Sequence, residues 1–150
     1  MGPESFSDII AFAIKKEEEA IDSYGSMAER AKSPGIKEML LELQEEEKNH
    51  KKLLQNITAE KIASLKIKDV TDLKISDYLV EEPPSPEMSF QDLLILAAKK
   101  EQRSVDLYSD LGNKAEDKEF KKLFEFLVMQ EKSHKLKLEK EYDAHVLEWD

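Results

Sequence analysis

A tandem repeat constrains the fold of this chain more than any other feature of its sequence. When the sequence is aligned with itself at a shift of 84 residues, without a gap, residues 5–55 match residues 89–139 and about a third of the pairs are identical. The matches include Lys-Lys-Glu at residues 15–17 and 99–101, and Glu-Lys-x-His-Lys at residues 47–51 and 131–135. Self-similarity at a fixed spacing indicates that one structural unit is used twice.

Each repeat has the apolar spacing of two amphipathic helices, a helical hairpin. Apolar residues recur at steps of three and four, and the chain combines 37% charged residues with only 4 Gly and 5 Pro, which favours helices over strands. Ser5 and Ser89 each precede an acid by three residues, as at a capped helix start, and Ser33-Pro34-Gly35 separates the first two helices. The predicted helices cover about residues 6–31, 36–63, 90–113 and 118–143.

A long segment joins the two predicted hairpins. Residues 64–88 are rich in Pro and Glu near their end and are predicted to form an ordered crossover with little regular structure. This crossover is long enough to run the length of a helix of about 25 residues, roughly 38 Å, so helices 2 and 3 can be parallel. The predicted fold is all-α, an antiparallel four-helix bundle of two repeated hairpins, with residues 1–150 as one domain.

Ionisable residues interrupt the apolar stripes of all four predicted helices. Helices 1 and 3 each place a Glu in the middle of a column that is otherwise apolar. Helices 2 and 4 each place a Glu and a His one turn apart on the buried face. The six residues are Glu17, Glu47, His50, Glu101, Glu131 and His134.

A plain hydrophobic core does not account for such a layer. Desolvating an isolated carboxylate costs several kcal/mol, and carboxylates that are packed together repel one another. Two divalent ions would neutralise four carboxylates, and each neutral His would add one nitrogen ligand. One Glu from each of two helices, with Glu-x-x-His from each of the other two, is the ligand pattern of ferritin-like di-iron and di-manganese proteins. A solvated helix face for the Glu residues, or a hydrogen-bonded core position for the His residues, is the alternative interpretation.

The residues that carry this pattern resemble the rubrerythrin-like branch of the ferritin-like superfamily over about Ser5 to Tyr142. The resemblance implies a ferritin-like bundle that holds two iron ions, and carboxylate and imidazole ligands also suit manganese. It further implies that Glu47 and Glu131 bridge the metals, that Glu17 and Glu101 are terminal ligands, and that His50 and His134 bind one metal each.

Residues that flank the predicted ligands have less specific interpretations. Tyr24 and Tyr108 lie two turns after Glu17 and Glu101 on the same helix face. They are interpreted either as aromatic core residues or as hydroxyls that orient a metal-bound carboxylate and assist catalysis. The acids Glu18, Glu19, Glu45 and Glu46 point away from the buried face and are expected to be exposed.

The chain departs from the rubrerythrin pattern in two ways. Rubrerythrins carry a rubredoxin-type iron centre held by four Cys, whereas this sequence has no Cys, so electrons are expected from an external donor such as a rubredoxin-type protein. Rubrerythrins also place an additional carboxylate near the helix 3 ligand. Here the neighbours of Glu101 on that face are Ala97, Ala98, Ser104 and Val105.

Charge and apolar patterning limit the partners and the cellular location that are expected for the protein. A formal net charge of −10 disfavours nucleic acid and anionic membranes as partners. The apolar stretch Phe6–Ile14 is too short for a membrane span and lacks the features of a signal peptide, so a cytoplasmic protein is expected. The apolar residues Ile9, Phe12, Leu93 and Leu96 lie off the main stripes and are predicted to cover either the crossover or a partner subunit in a homodimer.

Three functions compete at this point. The first is a di-iron oxidoreductase, a peroxidase or oxidase that reduces hydrogen peroxide or dioxygen. The second is an iron-binding protein with ferroxidase activity that handles iron without turning over a substrate, which the surplus of acids favours. The third is a metal-free helical interaction module, against which the repetition of every predicted ligand argues.

Overall fold

In the described part of the chain, four long α-helices form two antiparallel hairpins of one bundle, and the predicted all-α four-helix fold is confirmed. The computed structural model describes residues 6–57, 75–80 and 87–149. A 3-10 turn, Ile75–Tyr78, is the one helical element described within the crossover, the rest of which lies mostly outside the described residues. The helices are α1 Phe6–Arg30, α2 Pro34–Gln55, α3 Phe90–Lys114 and α4 Lys118–Trp149.

Serine caps begin two of the helices as their sequences predict. The Ser33 hydroxyl accepts a hydrogen bond from the Ile36 backbone N–H at 3.2 Å, with Pro34 in the first turn of α2. The Ser89 hydroxyl accepts from the Asp92 backbone N–H at 3.1 Å at the start of α3. These bonds satisfy amide groups that the first turn of a helix leaves without a backbone partner. Ser5, the predicted equivalent on α1, lies outside the described residues.

Two predicted helix ends are wrong. Helix α2 ends at Gln55 rather than near Ala63, because the chain tightens there: the Ile57 N–H donates to the Leu54 carbonyl at 3.1 Å and Ile57 joins the core. Residues 58–63 lie outside the described residues. Helix α4 runs to Trp149 rather than ending near residue 143. No Gly or Pro occurs between residues 118 and 149 to end it.

The hydrophobic core consists of two separate apolar layers. The first combines Ile10 of α1 with Leu54, Leu111 and Phe124 of the other helices, and the second combines the opposite halves of the same four helices. The first half of α1 therefore packs with the second halves of α2 and α3, so α2 and α3 are parallel and each is antiparallel to α1. A layer between them remains for the six ionisable residues.

The apolar residues that lie off the main stripes are mostly buried by other parts of the chain. Ile9 and Leu93 are buried in the first and second apolar layers respectively, Leu96 is also buried, and Phe12 packs against the first layer. Their contacts lie within the chain, and the partner subunit considered for these residues stays a prediction. None of the helices in the described part of the chain combines the length and apolar character that crossing a bilayer requires.

Candidate metal centre

The structure brings the six predicted ligand residues together in the middle of the bundle. They come from all four helices and lie between the two apolar layers. None of the six is more than 3% exposed. We call them the central cluster: Glu17, Glu47, His50, Glu101, Glu131 and His134.

Two overlapping groups of four ligand atoms occur within the central cluster. In each group the atoms lie within 4.8 Å of one another. Glu47 and Glu131 are members of both groups, so their carboxylates are common to the two sets of ligand atoms. The first group adds Glu17 and His50, and the second adds Glu101 and His134.

Both imidazole rings present Nδ1 to the carboxylates. Nδ1 of His50 lies 3.0 Å from Glu131 Oε1 and 3.2 Å from Glu47 Oε1. Nδ1 of His134 lies 3.0 Å from Glu47 Oε1 and 3.6 Å from Glu131 Oε1. The two rings are stacked with centroids 5.8 Å apart. Both rings therefore lie on the same side of the cluster and place one nitrogen each at the shared carboxylates.

Unpartnered atoms in the cluster indicate that it suits a cation. Among the described residues, seven buried ligand-type atoms of the cluster have no hydrogen-bond partner, including Nδ1 of both histidines and both oxygens of Glu131. Buried polar atoms without partners are costly in a folded protein. Carboxylate oxygens and imidazole nitrogens that converge in this way match the ligands that iron and manganese take in proteins. The cluster could therefore hold metal ions.

The electrostatics of the cluster reflect its surplus of negative charge. Burial raises the pKa of Glu47, Glu101 and Glu131 well above the ordinary value, and repulsion by neighbouring glutamates raises it further. Burial also opposes charge on Glu17, but its contacts with His50 and Glu47 and a bond from Tyr108 lower its pKa overall. For His50, burial favours the neutral ring, yet the surrounding carboxylates raise its pKa. Without a cation, protons compensate part of the charge.

The two tyrosines bond across the repeats. Tyr24 donates its hydroxyl hydrogen to Glu101 Oε1 at 2.6 Å, and Tyr108 donates to Glu17 Oε1 at 2.6 Å. Each tyrosine therefore bonds a cluster glutamate of the other repeat, not the cluster glutamate on its own helix. Both rings are only 1% exposed, so the hydroxyls have few alternative partners. Both tyrosines are therefore core residues whose hydroxyls bond cluster carboxylates, and the orienting role at a metal stays a prediction.

Replacing either tyrosine by phenylalanine is expected to destabilise the protein and to make the glutamate that it bonds less well oriented. Tyr24→Phe leaves Glu101 Oε1 without its donor, which should lower the free energy of unfolding by about 1–3 kcal/mol, measured by urea unfolding. Metal affinity, measured by titration, should also fall because the carboxylate loses its orientation. The matched control is Tyr78→Phe, which removes a hydroxyl bond to Asp110 outside the cluster. Equal metal affinities for the two variants would contradict the orienting role.

Glu46 is partly exposed, in line with its sequence position, but it also contacts the central cluster. The Glu46 carboxylate reaches across from α2 and contacts Nε2 of His134. Its equivalent in the second repeat, Gln130, lies 3.4 Å from Nε2 of His50 through Oε1. The repeat itself held the signal, because residues 46 and 130 are both polar and directly precede a cluster glutamate. The exposed-face assignment missed them because a long side chain can bend from the helix flank toward the core.

Comparisons with known proteins agree with the fold. The sequence model of the rubrerythrin family matches residues 8–142. A solved structure of a hypothetical protein from Pyrococcus furiosus is similar with a TM-score of 0.76 and 28% identity, covering 97% of this chain and 92% of that one. None of the curated proteins compared with the chain matches its sequence.

Proposed function

The chain belongs to the rubrerythrin family, and on that basis we propose that it is a di-iron oxidoreductase that reduces hydrogen peroxide or dioxygen. The observation that carries the proposal is the pair of ligand groups that share Glu47 and Glu131. Rubrerythrins usually bind iron. Two divalent ions in these groups would balance the charge of the four cluster carboxylates.

Each cluster residue has a distinct task in the proposed site. Glu47 and Glu131 would bridge the two ions, while Glu17 with His50 and Glu101 with His134 would complete the separate groups. Two ferrous ions, when bound, would supply the two electrons that convert hydrogen peroxide and two protons into two water molecules. Manganese suits the same ligands.

The apolar surroundings of the cluster limit the access of bulk water to it. The two layers on either side of the cluster bury the apolar side chains of Ile10, Leu43, Leu94 and Leu127. On the side of the histidines, the Glu46 side chain is 39% exposed while it contacts His134. In the proposed reaction a small oxidant would approach on this side.

Electrons for repeated turnover would have to come from outside these residues. The chain has no Cys, so its 150 residues cannot form the four-Cys centre that serves rubrerythrins. We propose an external donor of the rubredoxin type. The edge of the bundle near His50 carries Phe126, which is 45% exposed and meets the His50 ring edge-on at 6.2 Å between centroids.

A second candidate function is iron handling, in which oxidation accompanies uptake and no substrate is turned over. The net charge of −10 favours it, because an acidic surface raises the local concentration of cations. It uses the same cluster and the same ions. The two functions therefore differ in turnover, not in the site.

Anaerobic loading with ferrous iron followed by rapid mixing with peroxide or air tests both functions. We expect the bound iron to be oxidised faster than free ferrous iron in the same buffer, with absorbance reporting the ferric product. With reduced rubredoxin present, an oxidoreductase consumes many equivalents of oxidant per chain. A single round of oxidation without turnover would favour iron handling. Oxidation no faster than that of free iron would contradict both functions.

A further inference from the structure

The two repeats hold their histidines in different ways. Glu46 and Gln130 occupy equivalent positions, 84 residues apart, and each contacts Nε2 of the other repeat's histidine. His134 thus has a carboxylate behind it, whereas His50 has a neutral amide. The two repeats therefore differ in charge at a pair of equivalent positions.

A carboxylate and an amide have different effects on a ligating imidazole. Nδ1 of each ring faces the cluster, so metal binding requires the ring hydrogen on Nε2. An ionised carboxylate can only accept a hydrogen bond, so Glu46 holds the Nε2–H tautomer of His134 and makes its Nδ1 a stronger donor to metal. The Gln130 amide offers both an acceptor and a donor, so it fixes His50 less firmly.

The residues next to these two positions differ in the same sense. Phe126 lies edge-on to the His50 ring, and its equivalent in the first repeat is Glu42, an exposed acid. Residues 42 and 46 are therefore both acids, whereas residues 126 and 130 are both uncharged. Their contacts place the uncharged pair at His50, while Glu46 of the acidic pair contacts His134.

We propose that Glu46 is a positioning residue that makes the two metal positions unequal, so that the group containing Glu101 and His134 binds a divalent ion more tightly and fills first. The inference rests on the proposed metal site and concerns the order of its occupation. It follows from the contacts at Nε2 and holds for any divalent ion that the cluster accepts.

Titration with cobalt(II), followed by calorimetry and visible absorption, tests the inference. Glu46→Gln is expected to weaken the first binding step by roughly tenfold, the low end of the effect of losing such a partner. The matched control is Glu45→Gln, which removes the same charge from the adjacent residue, whose side chain is 67% exposed and pairs only weakly with Lys48 at 3.9 Å. This control should leave both steps unchanged.

Three further variants assign the steps to the two positions. Glu101→Gln should remove the tight first step, whereas Glu17→Gln should preserve it, because these residues belong to different groups. Gln130→Glu should strengthen the second step, a gain that a destabilised protein would not show.

The possible results separate this inference from the proposed function. Equal responses to Glu46→Gln and Glu45→Gln, or loss of the first step in Glu17→Gln instead of Glu101→Gln, would overturn the inference and leave a two-metal site standing. Failure of the unaltered protein to bind cobalt(II) would overturn the metal site and the inference together.

Discussion

Replacing both shared glutamates, Glu47→Gln with Glu131→Gln, is expected to abolish binding of a metal pair while the helical bundle stays folded. Both side chains belong to both ligand groups, so their loss removes two ligands from each position. Iron content after anaerobic loading, measured by elemental analysis, should fall from two ions per chain to less than one. The metal-free variant should be more stable to urea than the unaltered protein, because two buried and mutually repelling carboxylates are gone.

A matched control shows whether the shared position of these glutamates is what matters. Glu45→Gln with Glu125→Gln removes the same two charges from the same two helices at exposed residues. Iron content and stability should both stay close to those of the unaltered protein. Unchanged metal content in the Glu47→Gln, Glu131→Gln variant would disprove the bridging assignment.

The stability of the metal-free protein is expected to fall as pH rises above about 4.5. The pKa values of Glu47, Glu101 and Glu131 are raised well above the ordinary value of 4.5 in the folded state. Above that pH the folded protein retains protons that the unfolded chain has lost. Each retained proton lowers the free energy of unfolding by about 1.4 kcal/mol per pH unit, until pH passes the folded pKa values.

The other two perturbed members of the cluster do not reverse this trend. The raised pKa of His50 adds to the decline above its ordinary value of 6.5. The lowered pKa of Glu17 contributes stability that is already complete above 4.5 and is lost only at more acidic pH.

Metal loading should reverse the slope. Ligands bind metal in their deprotonated forms, so metal affinity and the stability that it adds increase with pH. Urea unfolding at a series of pH values, with and without cobalt(II), measures both slopes. A metal-free protein whose stability rises between pH 5 and 8 would show that the cluster carboxylates are not protonated in the folded state.

Much of the site was predictable because it obeys helical periodicity. Glu17 and Glu101 interrupt apolar columns, and Glu-x-x-His places both side chains one turn apart on one face. Since the pattern recurs at a fixed shift, the assignment did not depend on a single His or Glu. The order of the helices followed from the length of the crossover, which permits α2 and α3 to be parallel.

Contacts between helices were harder to predict from the sequence. The bonds from Tyr24 to Glu101 and from Tyr108 to Glu17 join different repeats, and helical periodicity relates only residues of one helix. The same limit explains why Glu46 was assigned to the exposed face, although its flexible side chain reaches His134 on α4.

The sequence by itself determined the four helices, their pairing into two hairpins and the residues of the central cluster, because local spacing decides which side chains share a helix face. Only the tertiary structure decided which side chains meet across the bundle. It also showed that a carboxylate lies behind one histidine and an amide behind the other. Those contacts depend on the packing of helices that are distant in sequence, which no local pattern specifies.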